Sequence, residues 1–284
     1  MELENFVKKR NVKLLILEHF DFQCEIPQVD EIVLSSTKPL HVKDFDNVLI
    51  NLLDFEEFIA FERKNADAEQ LFNIYANVGT YPSIVQGSEE AKYRNLQMMI
   101  NSSHFSIASI EILKELANFQ ASKVSILQIY ELLKYKIKLS KDTLYAEFEA
   151  LRDNGLIYML ENFEKPKSSK KLYFVDFALK NALTFKKDFI KRFENIVFCE
   201  LLKKEWDFYF TSNIDFYVPS ENLAILCIPF LPPELIKRRF LKILKELNSL
   251  HVKELIVLSV GNEGRYKESG ITCEILPFWE WALR

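Results

Sequence analysis

Glycine is scarce in this chain: six among 284 residues, the first at position 79. A phosphate-cradling loop needs glycines whose backbone N–H groups approach the phosphates, followed by Lys and Ser or Thr. No such loop is written ahead of Gly79. Cysteine is sparse as well. Cys24, Cys199, Cys227 and Cys273 lie far apart with no Cys-x-x-Cys pair, which argues against a zinc site or a disulfide framework and for buried free thiols. The four histidines, His19, His41, His104 and His251, show no paired ligand spacing. No apolar run approaches the roughly 18 residues of a membrane span, and the charged start at residues 1–10 is followed by no apolar signal core. These absences lead to an expectation of a cytoplasmic protein with no cofactor, no metal and no membrane partner.

What is present is an ordinary globular composition rich in phenylalanine, 24 residues of it, so the cores should be aromatic. A net charge of −4 gives no whole-molecule attraction to nucleic acid and leaves only local basic surface to do so. Residues 13–17 (KLLIL), 31–35 (EIVLS) and 48–53 read as short strands buried on both faces. Asp54 and Glu57 form a capping-box pattern that opens a helix through Arg63. A second helix over 66–78 carries Leu71, Ile74, Tyr75 and Val78 on one face, ends at Gly79, and is kept from resuming by Pro82; a third spans 89–100.

Residues 104–176 hold the clearest pattern. A helix with Ile110, Leu113, Leu116 and Ala117 is followed by one that Ser125 and Gln128 cap and whose apolar residues are Ile126, Ile129, Leu132 and Leu133. Ser140 caps a third, with Leu144, Phe148 and Leu151 inward, stopped at Asn154-Gly155. Strands at 156–160 and 171–175 flank a turn-forming Lys-Pro-Lys-Ser-Ser at 165–169. Three helices and a hairpin make a winged helix-turn-helix. The remainder reads as a helix over 188–206, strands at 208–211, 214–218 and 223–228, a helix over 233–247, strands at 254–260 and 271–275, and a short aromatic helix over 278–283. The predicted class is mixed α+β, divided at 1–103, 104–180 and 181–284.

Several strings, in order, carry a resemblance. They are Leu52-Leu-Asp-Phe-Glu-Glu-Phe58; Tyr75 through Tyr81-Pro82, with Thr80 where a second glycine is usual; Lys171-Leu-Tyr-Phe-Val-Asp176; Phe193-Glu-Asn-Ile-Val-Phe198; Ile214-Asp-Phe216; and Pro277-Phe-Trp-Glu-Trp281. Their order resembles a prokaryotic group of AAA-type ATPases in which a P-loop domain and helical lid precede a winged helix and a restriction-endonuclease-like C-terminal domain. The resemblance implies a partial P-loop-type sheet with a helical lid, then the winged helix, then an αβββαβ domain. It also places residues 14–19 (LLILEH) where a Walker B strand ends, so that Glu18 is a vestigial, strand-end surface carboxylate, with Ser35 and Ser36 at the sensor position. It implies Asp215 as the matching acid of a nuclease site, but Leu226-Cys-Ile228 stands where an acid and a lysine are needed to hold Mg²⁺ and activate water. Asp215 is therefore vestigial too, capping a turn or strand end, and Glu194 and Glu200 are structural or surface carboxylates.

The DNA-binding candidates are Lys138, Lys141 and Tyr145 at the third helix of the winged module and Lys165, Lys167, Lys170 and Lys171 in its wing, with Lys134 and Lys136 adding charge nearby. Asp142 and Glu149 oppose them on the outward helix face. Lys237-Arg-Arg239 reads as a solvated face, and Phe278, Trp279 and Trp281 as a core plug. The leading expectation is a non-catalytic, ATPase-derived winged-helix protein that binds double-stranded DNA, protein, or both. The alternatives are a scaffold that docks a protein partner on the edge of its N-terminal sheet, or an ATPase whose P-loop half another polypeptide supplies.

Overall fold

The computed structural model describes residues 2–20, 23–36, 43, 45–48, 50–62, 66–87, 89–102, 106–204 and 206–284. The fold is mixed α+β, and residues 1–50 and 51–284 form two compact units. In the first, helix α1 (Glu2–Arg10) carries a Glu4–Lys8 pair one turn apart and three cations in its last turn, where the helix dipole favours them. Strands β1 (Leu14–Leu17) and β2 (Glu31–Leu34) pair in parallel, Leu14 opposite Glu31. The expected burial on both faces is not found: Leu14, Ile16 and Val33 are 49, 58 and 54% exposed. A sheet of two strands has no layers of its own to cover it, and their apolar sequence alone does not supply them. No strand occurs at 48–53 among the described residues, and Leu49 lies outside them.

The second unit opens with α2 (Phe55–Glu62), where the capping box is reciprocal. Glu57 N–H donates to Asp54 Oδ1 at 2.8 Å and Asp54 N–H to Glu57 Oε2 at 3.0 Å. Arg63 lies outside the described residues. Helix α3 (Ala68–Val78), capped by Asp67, ends at Gly79, whose φ of +88° suits glycine; a Cβ there would sit 2.5 Å from both carboxylate oxygens of Asp176. Pro82 does not delay the next helix but starts it. It occupies the first turn of α4 (Pro82–Val85), where a missing N–H costs nothing. Helix α5 (Glu89–Ser102) follows.

The winged module is α6 (Ile107–Ala117), β3 (Ser122–Val124), α7 (Ile126–Leu133), α8 (Lys141–Asp153), β4 (Ile157–Leu160) and β5 (Lys170–Phe174). Ser106, Ser125 and Ser140 each accept the N3 backbone N–H of the helix they cap. Leu113, Leu116, Ile129, Leu133, Leu144, Phe148 and Leu151 meet in the core. Leu132, expected among them, is instead exposed. The three-residue β3, too short to stand out in sequence, pairs antiparallel with β5 and completes the sheet β3-β5-β4.

After α9 (Leu179–Leu183) come α10 (Phe189–Leu202), β6 (Phe216–Val218), β7 (Leu223–Cys227), α11 (Pro233–Ser249), β8 (Glu254–Ser259), β9 (Gly264–Glu268), β10 (Ile271–Pro277) and α12 (Phe278–Ala282). The sheet order is β6-β7-β8-β10-β9, with β7, β8 and β10 parallel and both edge strands antiparallel. The expected strand at 208–211 is reduced to bridges, Tyr209 with Tyr217 and Phe210 with Asn162. Alternation along the strands divides the sheet. Ile225, Cys227, Ile256 and Leu258 face the core shared with α10, α12, the winged module and helices α2 to α5. Ala224, Leu226, Leu255 and Val257 face α11. Phe278 packs edge-on to Phe55 and Phe193, so the terminal aromatic helix is a core plug.

Candidate functional site

The outward surface of the winged module brings together Lys138, Lys141 and Tyr145, all exposed, at the start of α8. Lys141 Nζ lies 5.4 Å from the centre of the Tyr130 ring, and Tyr135, with Lys134 Nζ 4.8 Å from its ring centre, is 84% exposed. Lys134 and Lys136 are engaged, the first by Glu131 and the second by Glu115. On the same helix Asp142 is exposed, while Glu149 is held by Arg152. The wing tip presents Lys165 and Lys167, also exposed, with no ion pair among the described residues. Asn162 Oδ1 accepts Lys165 N–H at 2.7 Å and shapes the turn. At its base the wing is fastened to the C-terminal sheet. Phe163 N–H donates to Phe210 O at 2.9 Å, and the Phe163 ring packs edge-on to Tyr217.

Two of the four wing lysines are not available. Lys170 is paired with Glu161. Lys171 belongs to no outer surface: its side chain is 10% exposed, and its ammonium lies 2.7 Å from Glu194 Oε1 and 3.3 Å from Asp215 Oδ1. Strand parity is the reason. Lys171 and Tyr173 alternate with Leu172 and Phe174, and their side of β5 turns to α10. There Tyr173 O–H also donates to Glu194 Oε1, at 2.7 Å, and its ring stacks on Phe198 at 4.2 Å. Burial pulls the Lys171 ammonium toward the neutral form, but Glu194 and Asp215 outweigh it and its pKa is raised.

Asp215 Oδ2 accepts the Cys227 N–H at 2.9 Å, a strand-end capping role. A divalent metal of the nuclease kind does not fit these residues. An ammonium already lies between the two carboxylates, and Leu226 and Ile228 point to the α11 side of the sheet. Among the described residues no three His, Cys, Asp or Glu side chains converge to hold an ion. Burial, with Asp215 and Glu194 adding to it, pushes the Cys227 thiol well up, so it stays protonated and is no nucleophile.

Two further carboxylates are buried: Glu200, expected as a structural or surface group, and Asp176, whose role no residue spacing announces. Asp176 accepts Thr80 N–H at 2.6 Å, Thr80 O–H at 2.9 Å and Ala178 N–H at 2.6 Å; burial raises its pKa against those bonds. Glu200 Oε1 accepts both Phe55 N–H and Tyr75 O–H at 2.9 Å, and burial raises its pKa to about 7. Glu200 thereby ties α2 and α3 to α10, and Asp176 ties the segment after α3 to the end of the winged module; the residue spacing that marks the helix caps gives no sign of either. In the first unit, Glu18 is an exposed carboxylate just past β1, and the Ser35 hydroxyl accepts His19 N–H at 3.0 Å. His41 and His104 lie outside the described residues. Cys227 and Cys273 are buried free thiols, whereas Cys24 is exposed.

A curated relative is similar to this chain. The uncharacterized protein MJ1544 of Methanocaldococcus jannaschii is 28% identical over 273 residues, a match that covers 81% of this chain and 62% of the relative. The chain thus spans less than two thirds of that relative's length. No protein-family model matches the chain. No solved structure matches it. Among the described residues no helix is long and apolar enough to cross a membrane.

Proposed function

We propose that this chain is a non-catalytic, ATPase-derived winged-helix protein that contacts the backbone of double-stranded DNA. The observation that carries the reading is that one module of helix-turn-helix topology presents exposed, unpaired Lys138 and Lys141 at the start of α8 and exposed, unpaired Lys165 and Lys167 at the wing tip. Phosphate contacts position a protein without reading sequence. Asp142 on the same helix, and Glu164 beside the wing lysines, hold the attraction down. The contact is accordingly weak and largely independent of sequence. With Lys171 buried and Lys170 paired, the α8 lysines share the contact equally with the wing.

The test is fluorescence anisotropy with duplex DNA at low and at physiological salt. Lys138→Glu, Lys141→Glu, Lys165→Glu and Lys167→Glu together should lower the salt slope by about 4, near one unit per phosphate contact. Asp142→Ala should leave affinity unchanged or improve it. An unchanged slope in the quadruple variant rejects this surface. No binding by the native chain at low salt favours the second reading, a protein-docking scaffold, which the exposed apolar side chains of Leu14, Ile16 and Val33 on the β1–β2 pair support.

A further inference from the structure

The basic run at 237–239 belongs to a longer feature of α11. Lys237, Arg238, Arg239, Lys242 and Lys245 are all exposed, and none has an ion pair among the described residues. Helix α11 has two acids. Glu246 is taken up by Thr211 O–H and by Asn213 Nδ2, and Glu234 sits in the first turn, where the helix dipole holds it. Across the helix edge Glu268 follows Tyr266 on the same side of β9, and Lys237 Nζ lies 5.3 Å from the centre of the Tyr266 ring. In a chain of net charge −4, this helix alone carries five cations against two acids.

The geometry concentrates that charge. Ile236, Phe240, Ile243 and Leu247 are buried against the sheet. Arg238, Lys242 and Lys245, at i, i+4 and i+7, form one stripe on the opposite side. At 1.5 Å per residue the stripe is about 10 Å long, and duplex DNA presents one charge per roughly 1.7 Å of its axis. The three cations therefore face a length of duplex that carries about six phosphate charges, counted over both strands. Anionic membrane is the poorer match, because an interfacial helix inserts its apolar face and here that face is committed to the core.

We propose that the outer face of α11 is a second contact surface for the phosphate backbone of duplex DNA. It lies on the sheet face opposite the winged module, and it acts independently of that module. The first arm compares Arg238→Glu, Lys242→Glu and Lys245→Glu together with the native chain, and repeats the comparison in the quadruple lysine variant of α8 and the wing. Affinity for duplex DNA at low salt should fall by about tenfold or more, with the salt slope smaller by about 3, in both backgrounds. An unchanged slope in both backgrounds overturns the proposal, whatever the fate of the winged-helix surface. A fall only when the winged-helix surface is intact overturns its independence. The second arm needs no variant: acetylation of Lys242 and Lys245 in the native chain should be slowed by duplex DNA. Equal acetylation with and without DNA overturns the proposal, as does slowing by phosphatidylserine vesicles and not by DNA.

Discussion

Glu200 shows how one buried group sets a pH dependence. Its single oxygen Oε1 takes both the Phe55 N–H and the Tyr75 O–H, and burial lifts its pKa from the ordinary 4.5 to about 7. Nearby Asp54 raises it further and Lys203 lowers it, as do the two donors. A carboxyl raised on folding binds its proton more tightly in the native state. Its contribution to stability is therefore full below the unfolded value and is lost as pH rises through about 7. The window runs from about pH 4.5 to 7. Glu200→Gln keeps the accepting oxygen and cannot ionise. The difference in unfolding free energy between variant and native chain should grow in the variant's favour across that window, to at most about 3 to 4 kcal/mol, at about 1.36 kcal/mol per pKa unit. Urea unfolding at a series of pH values measures it. A difference flat with pH would mean that Glu200 is solvated in the folded protein.

Within the wing, neighbouring lysines have opposite fates because a strand alternates and a turn does not. Lys165 and Lys167 lie in the turn and face solvent; Lys171 lies on the inward side of β5 and neutralises Glu194 and Asp215. Lys171→Met leaves Asp215 without its cation and Glu194 with only the Lys191 ammonium, 3.5 Å away, and should cost about 3 kcal/mol in urea unfolding, while duplex affinity stays unchanged. Lys165→Met should do the reverse, moving stability by less than about 0.5 kcal/mol and weakening binding. A loss of DNA affinity in the folded Lys171→Met protein would return that residue to the interface. Many of the helices were legible, since Ser125, Ser140, the Asp54–Glu57 box and Gly79 mark helix ends through local bonds, whereas α1 and α9, which carry no such mark, were not. The short β3, the edge strand β9 and the inward side of β5 were not, because those depend on which strand lies alongside. Of the proposed interface, residue type and position along the chain were legible; the loss of Lys170 and Lys171 to Glu161, Glu194 and Asp215 was set by partners 9 to 44 positions away.

At the scale of the molecule, the three regions from residue 51 onward share one continuous core. Phe55 of α2 and Phe72 of α3, Leu116 and Phe174 of the winged module, and Phe193, Ile256 and Trp281 of the C-terminal region belong to it. Buried polar groups stitch the same seams. Asn195 on α10 accepts Phe174 N–H at 2.9 Å and returns a bond to Phe174 O at 2.8 Å, as a neighbouring strand would, and also accepts from Gln120 at 3.1 Å. Opening any one region exposes apolar surface and orphans such groups in the others, at about 1–3 kcal/mol for each unsatisfied group. A chain of this size ordinarily unfolds in steps. Here residues 51–284 should unfold in a single cooperative transition. No tryptophan lies in the winged module: Trp206, Trp279 and Trp281 report on the C-terminal region and, through the Trp279–Phe72 ring contact at 5.7 Å, on α3, whereas part of the helical signal comes from α6 to α9. Melting curves from tryptophan fluorescence and far-ultraviolet circular dichroism should therefore coincide, while amides of the half-exposed β1–β2 pair exchange ahead of both. Helical signal lost at a lower temperature than tryptophan fluorescence would show that the winged module opens on its own, and that the shared core does not bind it into one unit with the rest.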